Sequence, residues 1–162
     1  MPMPCYLTLE GETQGNIEGS CAIAGHENKI LVQGVEHKIE IPKNLQTGLP
    51  TGPRIHGPMM LTKEIDKSSP KLAQALTSGE HMKSVVLEYW RINKDGKQEH
   101  YYTVKLENAI LMEIRSWTPN CLVLDNKELS HMEDVSFTYE KITWTYVLDG
   151  IEAEDSWLTP KK

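Results

Sequence analysis

The segment from Ser84 to Ile114 predicts two long strands joined by a tight turn. Residues 84–92 are rich in β-branched and aromatic side chains, which suit a pleated, half-buried surface. Asn93–Gly96 then supplies an Asp-Gly turn, whose positive backbone torsions suit a hairpin. The second strand alternates, and the residues expected on its buried face are Tyr102, Val104, Leu106, Ile110, Met112 and Ile114. A hairpin alone is barely stable in water, so we expect further strands to join it.

Length and composition predict a single globular domain over residues 1–162. Apolar residues make up 39% of the chain and charged residues 25%, which is typical of a folded protein. The formal net charge is −6. Because nucleic acids and anionic membranes attract a concentrated basic surface, we expect neither as a partner.

The beginning of the chain and its cysteines indicate where the protein folds. Met1–Cys5 lacks the basic segment and the apolar core of a Sec signal peptide, and no apolar run is long enough to span a bilayer. We therefore expect folding in the cytoplasm, without membrane insertion. Cys5, Cys21 and Cys121 are odd in number and widely spaced, which fits neither a disulfide framework nor a zinc site. Buried reduced thiols are predicted.

Further strands are predicted before and after the hairpin. Cys5–Glu10 alternates as a short strand, and another short strand is expected near Cys21–Ala24 within a polar connection. Met59–Ile65 predicts a strand, and so does Asp134–Leu148. In the last of these the apolar phase changes at Glu140–Lys141, which predicts a bulge that bends the strand.

The segment Lys29–Ile41 predicts a longer strand with a bulge near Gln33–Gly34. After the bulge the face expected to be buried carries Val35, His37, Ile39 and Ile41. The alternating charged face carries Glu36, Lys38 and Glu40.

The segment Pro42–Pro58 predicts a long loop. It holds four prolines and few apolar residues, and a loop of this length without secondary structure is usually functional or disordered. Arg54 and His56 could contact an anion or a cargo protein there. The favoured interpretation is that they are polar loop residues that hydrogen-bond to backbone atoms.

One helix is predicted after Met59–Ile65. Ser69 suits the N-cap, and Pro70 suits the first helical position, where its missing N–H costs nothing. The expected apolar stripe consists of Leu72, Ala73, Ala75 and Leu76, and Gly79 ends the helix.

The residues predict no catalysis and no metal or cofactor site. The six histidines show no ligand spacing, and the chain contains neither a Gly-x-Ser-x-Gly elbow nor a phosphate-binding loop. The strands predict a mainly β fold, a compact barrel or two packed antiparallel sheets with one flanking helix and a long extended loop. Few prolines and lysines protect the strand edges, and such edges pair with other chains, so we expect an assembly.

Four stretches in a fixed order resemble one known family. They are Cys5–Ile17, Thr62–His81, Gly96–Tyr102 and Val135–Thr145. Together they resemble the hemolysin-coregulated proteins (Hcp), the tube subunits of type VI secretion systems. The resemblance covers roughly residues 4–157, and the helix signature within it comprises Asp66, Ser69, Pro70, Leu72, Leu76 and Gly79.

The resemblance implies a tight barrel with one helix, six copies of which form a ring. Rings stack into a tube that a contractile sheath surrounds, a VgrG spike caps and a baseplate anchors. The tube carries effector proteins in its channel and leaves the cell without a signal peptide. The ring and stacking loop would include Thr47, Pro50, Pro53, Arg54 and His56, and the channel face would include Glu36, Lys38 and Glu40.

Two features depart from the family pattern. Pro42–Pro58 carries prolines, Arg54 and His56 where many relatives have a glycine-rich loop, so the loop contacts cannot be copied from them. The chain also ends soon after the last predicted strand, so we expect no fused toxin domain. The alternative hypothesis is a monomeric β-barrel that binds a small molecule, with its aromatic residues inside.

Overall fold

The computed structural model describes residues 3–157, and this part of the chain is built mainly of strands. The strands before the helix are β1 (Cys5–Gly11), β2 (Gly15–Ile17), β3 (Ile30–Glu36), β4 (Ile39–Glu40), β5 (Ile55–His56) and β6 (Met59–Glu64). The helix α1 (Ser69–Ser78) follows. The remaining elements are β7 (His81–Ile92), β8 (Gln98–Trp117), a 3-10 turn (Leu124–Asn126), β9 (Met132–Thr138), β10 (Lys141–Tyr146) and β11 (Ile151–Ser156).

Six antiparallel strands close into a barrel. Their order around the barrel is β8-β7-β1-β3-β6-β9, and β9 returns to pair with β8. The sheet also continues outward from β8 through β10 to β11. This confirms the predicted mainly β barrel with one helix in the described residues.

The interior of the barrel is filled with aliphatic and aromatic side chains. The largest fully buried apolar ones include Leu7, Leu9, Ile30, Leu61, Leu87 and Phe137. Each strand is stabilised because its apolar side chains on one face are buried in this interior. The alternation of apolar and polar residues in the sequence therefore indicates which face is buried.

β8 exchanges partners along one of its edges. Residues 102–107 pair with β10, whereas residues 110–117 pair with β9. Asn108 lies at the exchange with a φ of 49°, and its side-chain amide donates to Glu140 Oε2 at 2.7 Å. Glu140 lies in the break between β9 and β10. One continuous strand can therefore serve both the barrel and the outer sheet.

This exchange corrects the face predicted for the second half of β8. The left-handed backbone at Asn108 shifts the alternation by one residue, so Ala109 and Leu111 are buried instead of Ile110 and Met112. A second irregularity lies between Leu111 and Glu113 and leaves Met112 exposed. After it, Ile114 again packs against the core, as predicted.

Other predicted strands are confirmed or corrected at their ends. The bulge at Gln33–Gly34 is confirmed by a register shift between Val32 and Gly34. The phase change at Glu140–Lys141 is confirmed, and it separates β9 from β10. The short strand predicted near Cys21–Ala24 is wrong, because the short strand is β2 and pairs with β1.

Two segments were assigned wrongly by local pattern. The strand predicted to continue to Ile41 leaves the barrel after Glu36, so Ile39 and Ile41 are exposed instead of buried. The segment after Asp149, which reads as a polar tail, forms β11 along β10. Both segments carry mixed polar and apolar residues whose packing depends on distant partners.

The helix begins and ends close to the predicted residues. Its N-cap is Ser68, one residue before the predicted Ser69, because Ser68 N–H donates to Asp66 Oδ1 at 2.9 Å and starts the turn. Gly79 ends the helix with a φ of 69°, which confirms the predicted left-handed conformation. Leu72 and Ala75 are buried, whereas Ala73 is exposed, contrary to the predicted stripe.

A buried ion pair holds the start of α1 against β6 and β9. Lys63 is 1% exposed, and its ammonium contacts Glu133 Oε1 and lies 3.1 Å from Asp66 Oδ1. The Ser69 hydroxyl donates to the same Glu133 oxygen at 2.7 Å and accepts the Asp66 N–H at 3.0 Å. One cation therefore balances two carboxylates inside a hydrogen-bonded cluster, as a buried charge requires.

We expect Lys63→Met to lower the free energy of unfolding by about 3–5 kcal/mol, because the change leaves Glu133 buried without its cation. Denaturant unfolding at one fixed protein concentration measures the change. Lys67→Met is the matched control, since Lys67 is an exposed lysine of the same segment. Equal stability of the two variants would contradict the assigned role of Lys63.

Candidate functional site

The feature that departs from the barrel is a two-stranded arm, defined here as residues 37–58. β4 and β5 pair with each other in a separate small sheet, with Ile39 opposite His56. The Gly57 N–H donates to Lys38 C=O at 2.8 Å and continues this pairing toward the barrel. The predicted loop Pro42–Pro58 is therefore the larger part of a hairpin arm.

The tip of the arm is ordered by backbone bonds while its leucines face outward. Lys43 and Pro50 form an isolated bridge, and Asn44 Oδ1 accepts the Gln46 and Thr47 N–H groups. Leu45 is 93% exposed and Leu49 is 65% exposed. An ordered turn that displays apolar side chains is suited to contact with another surface.

The root of the arm is attached to β11 through Asp155. Arg54 donates from Nε and Nη2 to the two Asp155 carboxylate oxygens at 2.7 and 2.8 Å, and from Nη2 to Ser156 C=O at 2.8 Å. His56 Nε2 lies 2.7 Å from Asp155 Oδ2. We call Arg54, His56, Asp155, Tyr139 and His37 the latch.

The other side of the latch is the corner between β9 and β10. Tyr139 lies in that corner, and its hydroxyl is 2.6 Å from His56 Nδ1 and 2.9 Å from His37 Nε2. His56 is 5% exposed and its ring packs against the Trp157 ring at 5.4 Å. The latch therefore joins the arm, the barrel corner and the outermost strand.

The surroundings of the latch favour an ionised Asp155 carboxylate and neutral His37 and Tyr139 side chains. The hydrogen bonds from Arg54, together with that of His56, lower the pKa of Asp155 to about 2, against the opposing effect of burial. Burial and the charge of His56 lower the pKa of His37. Burial raises the pKa of Tyr139, so this residue remains a phenol at neutral pH.

The structure brings together part of the predicted ring and stacking loop. Arg54 and His56 lie in the latch, where both bind the Asp155 side chain, a partner that neither sequence interpretation included. The bond from Arg54 to Ser156 C=O agrees with the interpretation of a hydrogen bond to the backbone. Thr47 and Pro50 lie at the arm tip, and Pro53 lies between the tip and the latch.

The predicted channel residues lie near the base of the arm. Glu36 ends β3 and is exposed, whereas Lys38 and Glu40 form their own ion pair at 2.9 Å on the arm. Glu36 lies at the end of a barrel strand, whereas Lys38 and Glu40 lie on the arm, so these three residues do not share one face of the barrel.

The helix signature residues form a separate structural cluster. Asp66 and Ser69 belong to the Lys63–Glu133 network, Pro70 lies in the first turn, and Leu72 is buried. Leu76 packs partly against the core and Gly79 ends the helix. In the described residues these positions hold α1 on the barrel and make no hydrogen bond to the arm.

Residues 3–157 contain no cluster of metal-binding side chains and no helix that is long and apolar enough to cross a membrane. A half-open groove of about 720 Å³ is lined by residues such as Trp90, Arg91 and Tyr101. Cys5 is buried, but Cys121 is exposed and Cys21 partly exposed, which corrects the prediction of three buried thiols.

Sequence reasoning missed Tyr139, His37 and Asp155 as partners. Asp155 is separated from His56 by 99 residues and stands in a segment without a clear pattern. His37 was assigned by alternation alone to a buried face, and Tyr139 lies within the strand predicted over Asp134–Leu148. The alternation of Ile151, Ala153 and Asp155 is the one local signal that could have indicated a strand there.

The fold and the latch define a small closed β-barrel that carries one flanking helix and one projecting hairpin. The chain matches the family model described as "Type VI secretion system effector, Hcp" over residues 6–146, and it belongs to this family.

Relatives of known sequence or structure agree with this assignment. The chain is 42% identical to the "Major exported protein" of Pseudomonas aeruginosa, with 99% of this chain and 98% of that protein covered. It is similar to a crystal structure of an Hcp protein, with 34% identity, a TM-score of 0.90 and coverage of 95% and 97%. It is also similar to the secreted protein Hcp3 of Pseudomonas aeruginosa, with 37% identity, a TM-score of 0.80 and coverage of 95% and 97%.

We expect Asp155→Asn to lower the stability of the docked arm root above pH 4. The variant should also lack the part of the stability that the wild-type protein loses in acid. An ionised Asp155 stabilises the fold fully above its ordinary pKa of 3.8, and this contribution is lost as the pH falls through about 2. Unfolding measured between pH 7 and pH 2 tests this difference.

Glu152→Gln is the matched control, because Glu152 is an exposed carboxylate on the same strand that contacts Thr145. If Asp155→Asn and Glu152→Gln show the same pH dependence, the latch does not contribute to stability as described.

Proposed function

We propose that this protein is the tube subunit of a type VI secretion system and that six copies form a ring. Membership of the Hcp family supports this proposal, and the open edge of β11 is the observation that carries it. Among the described residues, β11 pairs with β10 on one side and has no strand on the other. Open strand edges favour pairing with another chain.

The charge of β11 favours a ring over a two-fold dimer. The strand carries Glu152, Glu154 and Asp155, so two antiparallel copies of β11 would bring carboxylates together, and like charges on opposed strands are destabilising. The edge therefore fits a different surface of its neighbour. A contact between two different surfaces generates a ring when its rotation closes.

Stacking of rings follows a different balance of forces. At a net charge of −6 per chain, six copies carry about −36 in total, so stacked rings repel one another unless ions screen them. The arm tip supplies a contact that offsets this repulsion, because Leu45 and Leu49 are exposed on an ordered turn. We assign the stacking role to the tip, with Thr47 and Pro50, and assign Arg54 and His56 to holding the arm.

The wider role that we propose is the one that the family resemblance implies. The tube is surrounded by a contractile sheath, capped by a VgrG spike, assembled on a baseplate, and exported from the bacterial cytoplasm. Effector proteins travel in its channel. The protein acts as a structural subunit formed by a single domain and not as an enzyme.

The ring is tested by native mass measurement of the purified protein. A mass near six times 18.4 kDa is expected, without added metal or cofactor. A monomer at all concentrations would contradict the ring and would favour the small-molecule binder. Within the described residues, the filled barrel interior offers that binder no central ligand site.

We expect Leu45→Ser combined with Leu49→Ser to leave rings intact and to reduce tube formation. These side chains are exposed in the single chain, so their loss removes little folding energy but removes apolar surface from the stacking contact. Electron microscopy counts tubes, and native mass measurement counts rings.

Gln46→Ser is the matched control, because it shortens an exposed polar side chain of the same turn and leaves both leucines in place. Normal tubes in the leucine variant would show that the tip is not a stacking contact. Monomers would instead place the tip inside the ring interface.

We also propose that Glu36, Lys38 and Glu40 face the channel and contact cargo. Lys38 and Glu40 largely neutralise each other through their ion pair, so Glu36 is the informative position. Glu36→Lys should preserve the ring mass and change the amount of effector protein that co-purifies with rings. Unchanged effector recovery would remove Glu36 from the cargo surface.

A further inference from the structure

The Tyr139 hydroxyl lies between two histidines of the same arm. His37 precedes β4, His56 ends β5, and their nearest ring nitrogens lie 2.9 and 2.6 Å from the hydroxyl oxygen. Both Tyr139 and His56 are buried. The arm root is therefore held by one hydroxyl that two titratable rings share.

The carboxylate of Asp155 determines which atom donates at one end of this series of hydrogen bonds. An ionised carboxylate only accepts, so His56 Nε2, at 2.7 Å, donates its N–H to Asp155. When His56 is neutral its Nδ1 accepts, and Tyr139 donates to it. His37 Nε2 then donates its N–H to the tyrosine oxygen, so each contact in the series joins one donor to one acceptor.

One additional proton fits without breaking a contact. Protonated His56 donates from Nδ1 to the Tyr139 oxygen, and the Tyr139 hydroxyl turns to donate to His37 Nε2. The hydrogen of His37 then lies on Nδ1 instead of Nε2, and His37 remains neutral. In this state His56 Nε2 still donates to Asp155 Oδ2, 2.7 Å away.

These hydrogen bonds cannot accommodate a second added proton. Both histidines would then donate to the same oxygen, and the Tyr139 O–H would have no acceptor left in this buried chain, which is costly. Two imidazolium cations would also face each other across one hydroxyl. The one carboxylate that faces them, Asp155, already receives two hydrogen bonds from Arg54.

We propose that Tyr139 limits the histidine pair to one bound proton while the arm is docked, and that a second proton separates His37 from Tyr139 and releases the His37 strand of the arm, while Arg54 keeps the His56 strand on Asp155. The charged and titratable groups that face this pair are Arg54 and Asp155, together with Tyr139 itself. The proposal concerns the contact between the arm and its own barrel, so it stands independently of the assembly.

The direction of the pH effect follows from the two ends of the latch. The pKa of His37 is lowered from its ordinary value of 6.5 by burial and by the charge of His56, against a smaller opposing effect of the Gly57 backbone. Docking through His37 is therefore complete above pH 6.5 and weakens as the pH falls below that value. The Arg54–Asp155 pair persists to lower pH, because the pKa of Asp155 is about 2.

Hydrogen exchange of backbone amides tests the release. The Gly57 N–H donates to Lys38 C=O and therefore reports whether the strand that follows His37 stays paired with the strand that ends at His56, and the Leu87 N–H in β7 reports on the barrel. Protection factors are compared at pH 7.5 and pH 5.0 after correction for the intrinsic exchange rate. Native mass measurement confirms the same assembly state at both pH values.

In the wild-type protein we expect Gly57 protection to fall by up to about tenfold per pH unit, the slope for uptake of one proton, while Leu87 protection stays constant. His37→Gln should abolish the fall at Gly57, because glutamine keeps a donor and an acceptor but does not titrate. His131→Gln, which removes an exposed histidine away from the arm, should behave like the wild type.

Constant Gly57 protection in the wild type, or an equal fall in His37→Gln, would overturn the proposal. Loss of Leu87 protection in His37→Gln would show instead that this variant is misfolded. In that case the nitrogen chemical shifts of the wild-type histidines decide the question. Imidazolium signals from both His37 and His56 while Gly57 remains protected would overturn it, and signals from at most one of them would support it.

Discussion

The structure depends on the exchange of pairing partners along one edge of β8. Backbone hydrogen bonds from β8 run first to β10 and then to β9, and the left-handed backbone at Asn108 separates the two registers. Without that exchange the edge would pair with a single strand, and either the barrel or the outer sheet would lose its partner. Burial of the filled barrel interior stabilises the arrangement once it has formed.

The same exchange creates the position from which the arm is held. β9 and β10 must separate where β8 changes partner, and Tyr139 lies in that corner. β11 extends the outer sheet and brings Asp155 beside it, so the corner and the outer strand together present a hydroxyl and a carboxylate to the arm. Barrel closure, the open acidic edge and the docked arm are therefore consequences of one irregularity in one strand.

The sequence pattern correctly predicted the elements whose structure depends on residues that are close together in the chain. Alternation identified the central hairpin, the capping residues identified α1, and changes of phase identified the irregularities at Gln33–Gly34 and Glu140–Lys141. The sequence pattern failed where a contact with a residue far along the chain determines the local structure. Asn108 carries no apolar signal, yet its backbone moves burial from Ile110 to Ala109. The partners in the latch are likewise separated by about a hundred residues, and no periodicity connects Arg54 with Asp155.

We infer that the acidic edge of β11 joins neighbouring subunits through a surface other than β11 itself. An electron cryo-microscopy map of the assembled protein would show which surfaces meet between subunits. We expect a closed ring in which the outer edge of β11 meets a non-β11 surface of the next subunit, while the arm root remains docked on its own Asp155. A ring in which β11 faces solvent, or a two-fold dimer joined through two β11 strands, would contradict it.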